Sequence, residues 1–533
     1  MDRKYVFVSG GVVSSLGKGI TAASLGRLLK ARGYKVSMQK LDPYYNVDPG
    51  LLSPLQHGET YITDDGTATD LDLGHYERFI DTNLSGSSSI TTGKIHKYIM
   101  EKELSGEYKG RTVQVIPHVT DEIIYRIKKA AKDVESEIAI VEIGGTVGDM
   151  ESAPFLEATR QMKGILPKNS CCFIHVTLIP YIEAASELKT KPTQHSVKTL
   201  RSIGIQPDII VCRSNHRIPK NAKDKIALFC NVKPSNVIEN SDSDTIYDVP
   251  LLLEKEQLAT AVCDILNIPA NNPDLTDWIE YVNKLKNPKK EINVAIVGKY
   301  VSLKDAYLSD TEALTHAGCS LNTKVNISWI DSATLNKNNY KEILKPYSGL
   351  LVPGGYGKKG AEGIILAAKY AREEKVPYLA VGFGMQLSVV EAVRNLLGIT
   401  NANSLEVDSD TTAPVAMIPD WKICINDSRG AARMGSLKVI ITDNKLKNIY
   451  GSDIVYERHS NRYEINNAYN SELAEKCYKL AAISDEHDFA EAYLIDDHPF
   501  YIVTLYHPEY ISRPNRPHPL YVAFLNSILN KYY

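Results

Sequence analysis

The opening of the chain constrains its fold more than any other stretch. Tyr5-Val6-Phe7-Val8-Ser9 is a short apolar run that reads as a buried strand. It breaks into Gly10-Gly11-Val12-Val13-Ser14-Ser15-Leu16-Gly17-Lys18-Gly19-Ile20-Thr21, and a helical pattern follows at Ala22-Ala23-Ser24-Leu25-Gly26-Arg27-Leu28-Leu29. Strand, Gly-rich loop, Lys and helix is the order that cradles a triphosphate. Loop N–H groups and the helix N-terminus face the phosphates, and the Lys adds a point charge. The spacing is unusual: Gly11 and Gly17 stand six apart rather than five, and Gly19 replaces the Ser/Thr that usually touches Mg²⁺. A plain strand–turn–helix connection is the competing reading of these residues alone.

At 533 residues the chain exceeds one core and suggests about two to four domains. A formal net charge of −3 leaves no broad basic field, so nucleic acid is not an expected partner. No apolar run reaches roughly 18 residues, so neither a membrane span nor a signal peptide is expected. The eight cysteines include no C-x-x-C pair, and Cys171-Cys172 lies in an apolar run. A cytoplasmic protein with reduced thiols is the simplest expectation.

Apolar runs alternate with helical patterns in the first half, which predicts an α/β fold with a doubly wound, mostly parallel sheet. Candidate strands are Tyr5–Ser9, Lys35–Lys40, Thr112–Ile116, Ile138–Ile143, Cys172–Leu178 and Asp208–Cys212. Residues 271–291 have linker composition around one short helix, Asp277–Lys286, and a second alternating block starts at Ile292. The expected division is 1–270, a linker at 271–291, and 292–533, each domain with its own doubly wound sheet.

Two acidic features complete a nucleotide site. Glu142 ends the apolar run Ile138–Ile143 beside Gly144 and Gly145, where a carboxylate facing a phosphate loop can hold Mg²⁺. Asp72 is the second metal candidate, whereas Asp64 and Asp65 read as turn residues. Lys40 ends a strand and can turn its charge toward the same crevice. Lys189-Thr190-Lys191-Pro192-Thr193-Gln194 places two cations in a Pro-limited segment that suits a second polyanion, a solvated Lys loop being the alternative.

Longer strings are more specific. Gly10–Gly19, Lys40-Leu41-Asp42-Pro43-Tyr44, Asn46–Gly50, Asp70–Phe79, Gln114–His118, Val141–Ser152, Lys189–Ser196 and Ser202–Asp208 closely resemble the CTP synthase family, essentially along the whole chain. The resemblance implies a P-loop-type amidoligase fused to a class I glutamine amidotransferase. ATP would phosphorylate the 4-oxygen of UTP, and ammonia would displace that phosphate to give CTP. By the family pattern Ser15, Leu16, Gly17, Lys18, Gly19, Ile20 and Asp72 hold ATP. Lys18 and Lys40 act on the phosphates, and Asp72 and Glu142 hold Mg²⁺. Ser14, Gln114, Asp149, Met150, Glu151, Lys189, Thr190, Lys191, Pro192, Thr193, Gln194 and Lys225 bind UTP or the feedback inhibitor CTP. The resemblance also implies GTP as allosteric activator, a homotetramer and filament assembly.

The second block carries a Gly-rich candidate oxyanion strip, Pro353-Gly354-Gly355-Tyr356-Gly357, and a His507-Pro508-Glu509 pair suited to orient an imidazole as general base. Gly354, Gly355, Phe383, Gly384, Met385, Gln386, Glu406, Arg433 and Arg462 fall where the family contacts glutamine. Its ammonia channel corresponds to Pro54, His57 and Thr60, the last replacing an apolar residue. The nucleophile elbow departs from the family. Aligned on Gly384-Met385-Gln386, the cysteine's position is Gly382. A glycine has no thiol and forms no glutamyl thioester, so the expectation is an intact turn, a silent glutaminase and CTP synthesis from free ammonia. Gly382 reads either as an engineered substitution or as natural ammonia dependence. A catalytically silent regulatory or filament-forming paralogue is the alternative function, and a carboxylate-directed amidoligase of the dethiobiotin or cobyrinate type is a more distant one.

Overall fold

The computed structural model describes residues 2–13, 16–419 and 432–532. The chain forms two compact units, Met1–Pro49 with Asp72–Val282, and Gly50–Leu71 with Asn283–Tyr533. The helix Thr276–Lys286 begins inside the stretch expected as a linker. Its Trp278 is buried against Phe79 and Tyr247, and Asp274 N–H donates to the Ala31 carbonyl at 2.9 Å, so residues 271–282 pack on the first unit. Among the described residues no helix is long and apolar enough to cross a membrane.

The first unit is built on a seven-stranded sheet. Its strands are β1 (Lys4–Gly10), β2 (Val36–Asp42), β3 (Ser89–Thr91), β4 (Ile138–Ile143), β5 (Cys171–Leu178), β6 (Ile209–Ser214) and β7 (Val237–Ser241). They lie in the order β7-β6-β5-β1-β4-β2-β3 with every pairing parallel. β1 and β4 are central and buried on both faces, which is why they read as near-continuous apolar runs. Helices on both faces close the core, and Phe7, 0% exposed, packs at a tilt against Phe173 with ring centroids 5.0 Å apart.

Thr112–Ile116 is not a strand. The sheet edge there is β3, paired with β2, while Val115–Val119 forms a wide helical turn leading into the helix Thr120–Asp133. Val115 and Ile116 are 51% and 52% exposed, so their β-branched pattern had no neighbouring strand to pack against.

The second unit has a nine-stranded mixed sheet: β8 (Lys290–Gly298), β9 (Thr323–Asp331), β10 (Gly349–Val352), β11 (Tyr378–Val381), β12 (Arg433–Ile441), β13 (Ile454–Asn461), β14 (Tyr478–Ser484), β15 (Ala490–Ile495) and β16 (Tyr501–Thr504). The order is β9-β8-β10-β11-β16-β15-β14-β12-β13. The half from β9 to β16 is parallel and the rest antiparallel. Apolar clusters cover both faces.

Truncating the fully buried Phe7 tests the first core. Phe7→Ala should cost about 3–5 kcal/mol, read as a lowered urea midpoint for the first unit; a shift under about 1 kcal/mol would contradict this packing.

Candidate functional site

In the first unit the candidate residues gather at the carboxyl end of the parallel sheet, where open α/β sheets bind ligands. Gly17, at φ +80°, caps the helix α1 (Lys18–Ala31), so the helix N-terminus opens on the loop after β1. Val12 in that loop stands at φ +86°, a left-handed conformation that costs a β-branched residue of order 1–3 kcal/mol. A Cβ on Gly10 would fall 2.5 Å from Lys18 Cδ, so the glycine leaves room for the lysine stem to lie across the strand end. Lys18 Nζ donates to the Gly145 carbonyl at 2.8 Å, and burial holds its ammonium below the usual lysine range. Leu16 is buried, and Gly19 and Ile20 open the helix. Ser14 and Ser15 lie outside the described residues.

Three strands and a helix bring the charges together. Parallel register sets Lys40 on β2 beside Glu142 on β4, with Val8 of β1 on Glu142's other side. Asp72 opens the helix α2 (Asp72–Ile80) and pairs with Lys40, while the Tyr76 hydroxyl, one turn along, donates to Glu142 Oε2. Burial pushes the Glu142 carboxyl up to about 7, with Asp72 adding to the rise and Lys40, Tyr76 and Lys18 opposing it. A Cβ on Gly19 would fall 2.6 Å from Asp72 Oδ1 and 3.3 Å from Glu142 Oε2. Both carboxylates thus converge on a spot that only glycine leaves open. Mg²⁺ is commonly held by one or two carboxylates plus phosphate oxygens, and this donor set fits it. Asp64 and Asp65 are elsewhere, in the second unit: Asp64 pairs with Arg458 at 2.7 Å and Asp65 accepts from the Thr63 hydroxyl at 2.6 Å in a turn.

The residues expected to bind the pyrimidine nucleotide sit on several turns and helices of the first unit. Thr190 caps the helix α3 (Lys191–Ser202) and its hydroxyl accepts from Gln194 Nε2 at 3.0 Å. Lys189 pairs with Glu187, Pro192 sits in the first turn, and the Lys191 ammonium lies 5.9 Å from the Phe229 ring. Phe229 and the exposed Lys225 belong to the helix Lys220–Cys230, which packs beside α3. Thr193 instead turns inward, its hydroxyl bonded to Thr177 Oγ1 at 3.1 Å and fully buried. Asp149 accepts from Thr146 N–H at 3.2 Å, and Met150 is 86% exposed beside the exposed Glu151. Gln114 is exposed, its N–H donating to His118 Nδ1 at 3.0 Å.

The second unit holds a cavity of about 610 Å³. Gly354 and Gly355 follow β10, and Gly357 N–H donates to Glu406 Oε1 at 3.1 Å, so the candidate oxyanion strip is held by a glutamate that itself faces the cavity. Phe383, Gln386 and Arg462 also line it, as do Pro54 and Thr60. His57 ends the short helix Pro54–His57 and is not in the lining. Gly384 and Met385 are buried within the helix α4 (Phe383–Leu396); a Cβ on Gly384 would fall 2.7 Å from the Val352 carbonyl, so that glycine serves helix-to-strand packing. Arg433 is likewise away from the lining, its guanidinium held by Glu464 at 2.8 Å and Glu491 at 2.5 Å.

Gly382 sits between β11 and α4 at φ +55°, ψ −116°, its N–H donating to the Thr504 carbonyl at 2.8 Å. This is the sharp strand-to-helix turn expected of an elbow, in a region where glycine is at ease. His507 Nδ1 meets Glu509 Oε1 at 2.5 Å, which turns Nε2 toward Gly382. A Cβ on Gly382 would fall 2.7 Å from that Nε2 and 2.8 Å from Cε1. The imidazole therefore occupies the space in which a side chain at 382 would begin. Among the described residues no cysteine lines the cavity, and burial pushes the thiols of Cys171 and Cys212 up to about 12 and those of Cys230 and Cys319 up to about 11.

Sequence reasoning did not single out several residues of these sites. Tyr76 appears only as one letter of a longer string, with nothing to mark its hydroxyl. Lys299 ends β8's strand-like run, yet its ammonium reaches the Tyr356 and Gly357 carbonyls and lies 4.7 Å from the Phe383 ring. Burial brings it down to about 8. Glu59, Asp310 and Tyr510 also line the cavity, and no local spacing joins them.

Residues 4–268 match the model of the CTP synthase N-terminus, and residues 302–527 that of the class-I glutamine amidotransferases. The CTP synthase of Clostridium kluyveri is 52% identical over 99% of both chains, and that of Halalkalibacterium halodurans 50% identical over 100% of both. A solved Trypanosoma brucei CTPS glutaminase domain with bound acivicin is 33% identical, matching 45% of this chain and 95% of that one at a TM-score of 0.43. With two family models filling most of its length and relatives matched end to end, the chain belongs to the CTP synthase family.

Proposed function

We propose that this chain makes CTP from UTP and ATP with free ammonia, and that its glutaminase half-reaction is silent. The silent half-reaction rests on the His507 imidazole turned onto Gly382, a residue with no side-chain nucleophile to deprotonate. In the first unit, Lys18 and the N-terminus of α1 would hold ATP phosphates, and Lys40 would stabilise charge on the phosphoryl group as it passes to the UTP 4-oxygen. Phosphorylation turns that oxygen into a good leaving group; ammonia adds at the same carbon, and phosphate departs with the C–O bonding pair. Asp72 and Glu142 would hold Mg²⁺, which supplies further neutralisation of phosphate charge when bound. The strip Thr190–Gln194 with Lys225 would receive the pyrimidine nucleotide's triphosphate, and Asp149, Met150 and Glu151 with Gln114 would contact UTP or inhibitory CTP. GTP, as activator of glutamine use, would have no step to accelerate. Pro54, His57 and Thr60 as ammonia-channel residues, the homotetramer, filament assembly and a cytoplasmic location belong to this proposal through the family.

The missing thiol at position 382 also motivates a second reading, a silent regulatory or filament-forming paralogue. One assay separates the two: CTP formation from UTP and Mg²⁺-ATP, run with ammonium chloride and with glutamine. Turnover with ammonium only is the expected result; no turnover with either supports the silent paralogue, and turnover with glutamine contradicts the assignment of Gly382.

Lys18→Ala should lower ammonia-dependent kcat about 10²–10³-fold, the usual loss on removing one group aimed at developing charge. A change under about threefold would remove Lys18 from the phosphoryl-transfer machinery. Gly382→Cys should create glutamine-dependent synthesis, because His507 and Glu509 are in place, provided the imidazole yields the few tenths of an ångström or more that a Cβ needs. A variant that folds with its ammonia-dependent rate intact yet ignores glutamine would show that the imidazole is locked in the vacated space.

A further inference from the structure

One wall of the second unit's cavity is more acidic than the orienting of His507 by Glu509 accounts for. Glu59, Asp310 and Glu509 come from three separate stretches of chain and all line the cavity. They are 8%, 2% and 2% exposed. Tyr510 follows Glu509 in the chain, and its ring is stacked on His507 at 5.3 Å. Tyr510 also lines the cavity, its hydroxyl donating to the Thr60 carbonyl at 3.1 Å.

Among these acids one fully buried oxygen has no hydrogen-bond partner. Glu59 accepts from the Ser309 hydroxyl at 2.6 Å and from Ser309 N–H at 3.2 Å. Asp310 Oδ1 accepts from the Tyr521 hydroxyl at 2.7 Å. Glu509 gives Oε1 to His507, and its Oε2 is buried with no hydrogen-bond partner. Buried acceptors are ordinarily satisfied, so an orphan carboxylate oxygen on a cavity wall points to a donor that arrives from outside. The charge balance points the same way. Burial, then Glu509 and Glu59, push the Asp310 carboxyl well above the usual range, with the Tyr521 hydroxyl opposing. Carboxylates packed this closely out of water call for a proton or a cation. A divalent metal is a poor match, since no group of three or more metal-ligating side chains is found among the described residues. A small monovalent cation with its own N–H donors suits both the orphan oxygen and the neighbouring aromatic face.

We propose that Glu509 Oε2, Asp310 and the Tyr510 ring form a binding site for ammonium, with Glu59 completing its acidic wall. The proposal deepens the ammonia-dependent reading above and rests on it for its purpose: a glutaminase cavity that makes no ammonia would still concentrate the nitrogen source in its charged form. Potassium shares ammonium's charge and approximate size but donates no hydrogen bonds, so the two are separable.

The test uses the full chain. Thermal unfolding is followed against ammonium, potassium and sodium chloride at equal ionic strength, and the KM for ammonium in CTP formation is measured in parallel. A ligand that binds only the folded state raises Tm saturably. Ammonium should do so beyond potassium and sodium. Asp310→Asn and Glu59→Gln should each abolish that excess and raise the ammonium KM roughly tenfold, about one charged hydrogen bond's worth, while the KM values for ATP and UTP hold. Equal stabilisation by all three salts overturns the proposal, and potassium matching ammonium overturns its hydrogen-bonding basis. Should either variant fail to fold, the salt comparison on the parent chain still decides. If the chain makes no CTP from ammonia, the functional reading falls, and the Tm comparison judges the site on its own.

Discussion

Glu142 is 3% exposed near the carboxyl end of a central strand, and a carboxylate in that position must be met by charge inside the protein. The first unit supplies that charge by topology. Parallel register puts Lys40 next to it, α2 brings Asp72 and Tyr76 over it, and Lys18 reaches across from α1. Two cations and two carboxylates thus balance within one crevice, which explains why burial raises Glu142 only to about 7 rather than expelling its charge outright. The glycines follow from the same crowding: Gly10 and Gly19 are places where a single methyl would displace Lys18 or Asp72.

In the second unit the turn at Gly382 is built without any side chain at that position. The Gly382 elbow is held by backbone groups, through Thr504 and the first turn of α4, and by packing of Gly384 on β10. None of these contacts uses a side chain at 382. The His507–Glu509 pair is equally independent of it, since its geometry comes from the turn after β16. The imidazole lies in the free volume that the glycine leaves. In a close-packed interior that volume is filled by whichever neighbour can reach it.

Much of this was readable in order along the chain. Period-free apolar runs marked β1, β4 and β5, because strands covered on both faces carry no alternation to obscure. Local spacing marked the phosphate loop, the Gly-rich strip and the His–Glu pair. The same cues failed at Thr112–Ile116, where β-branched residues face solvent and Ser89–Thr91 takes the sheet edge. The family resemblance supplied the roles expected of Thr193 and Arg433; in the fold Thr193 is bonded to Thr177 and Arg433 is held by Glu464 and Glu491. Residue type and position in a string do not say which way a side chain turns.

From its residues alone, this chain determined its fold class, its family and the lack of a thiol at position 382, because each is written in local pattern or in the identity of one residue. Tertiary structure decided which charges meet. The pairing of Tyr76 with Glu142, the clamp of Lys299 on the Gly-rich strip, the acidic wall of Glu59, Asp310 and Glu509, and the imidazole over Gly382 join residues tens to hundreds of positions apart. Burial and distance set the strength of such interactions, and neither exists until the chain has folded.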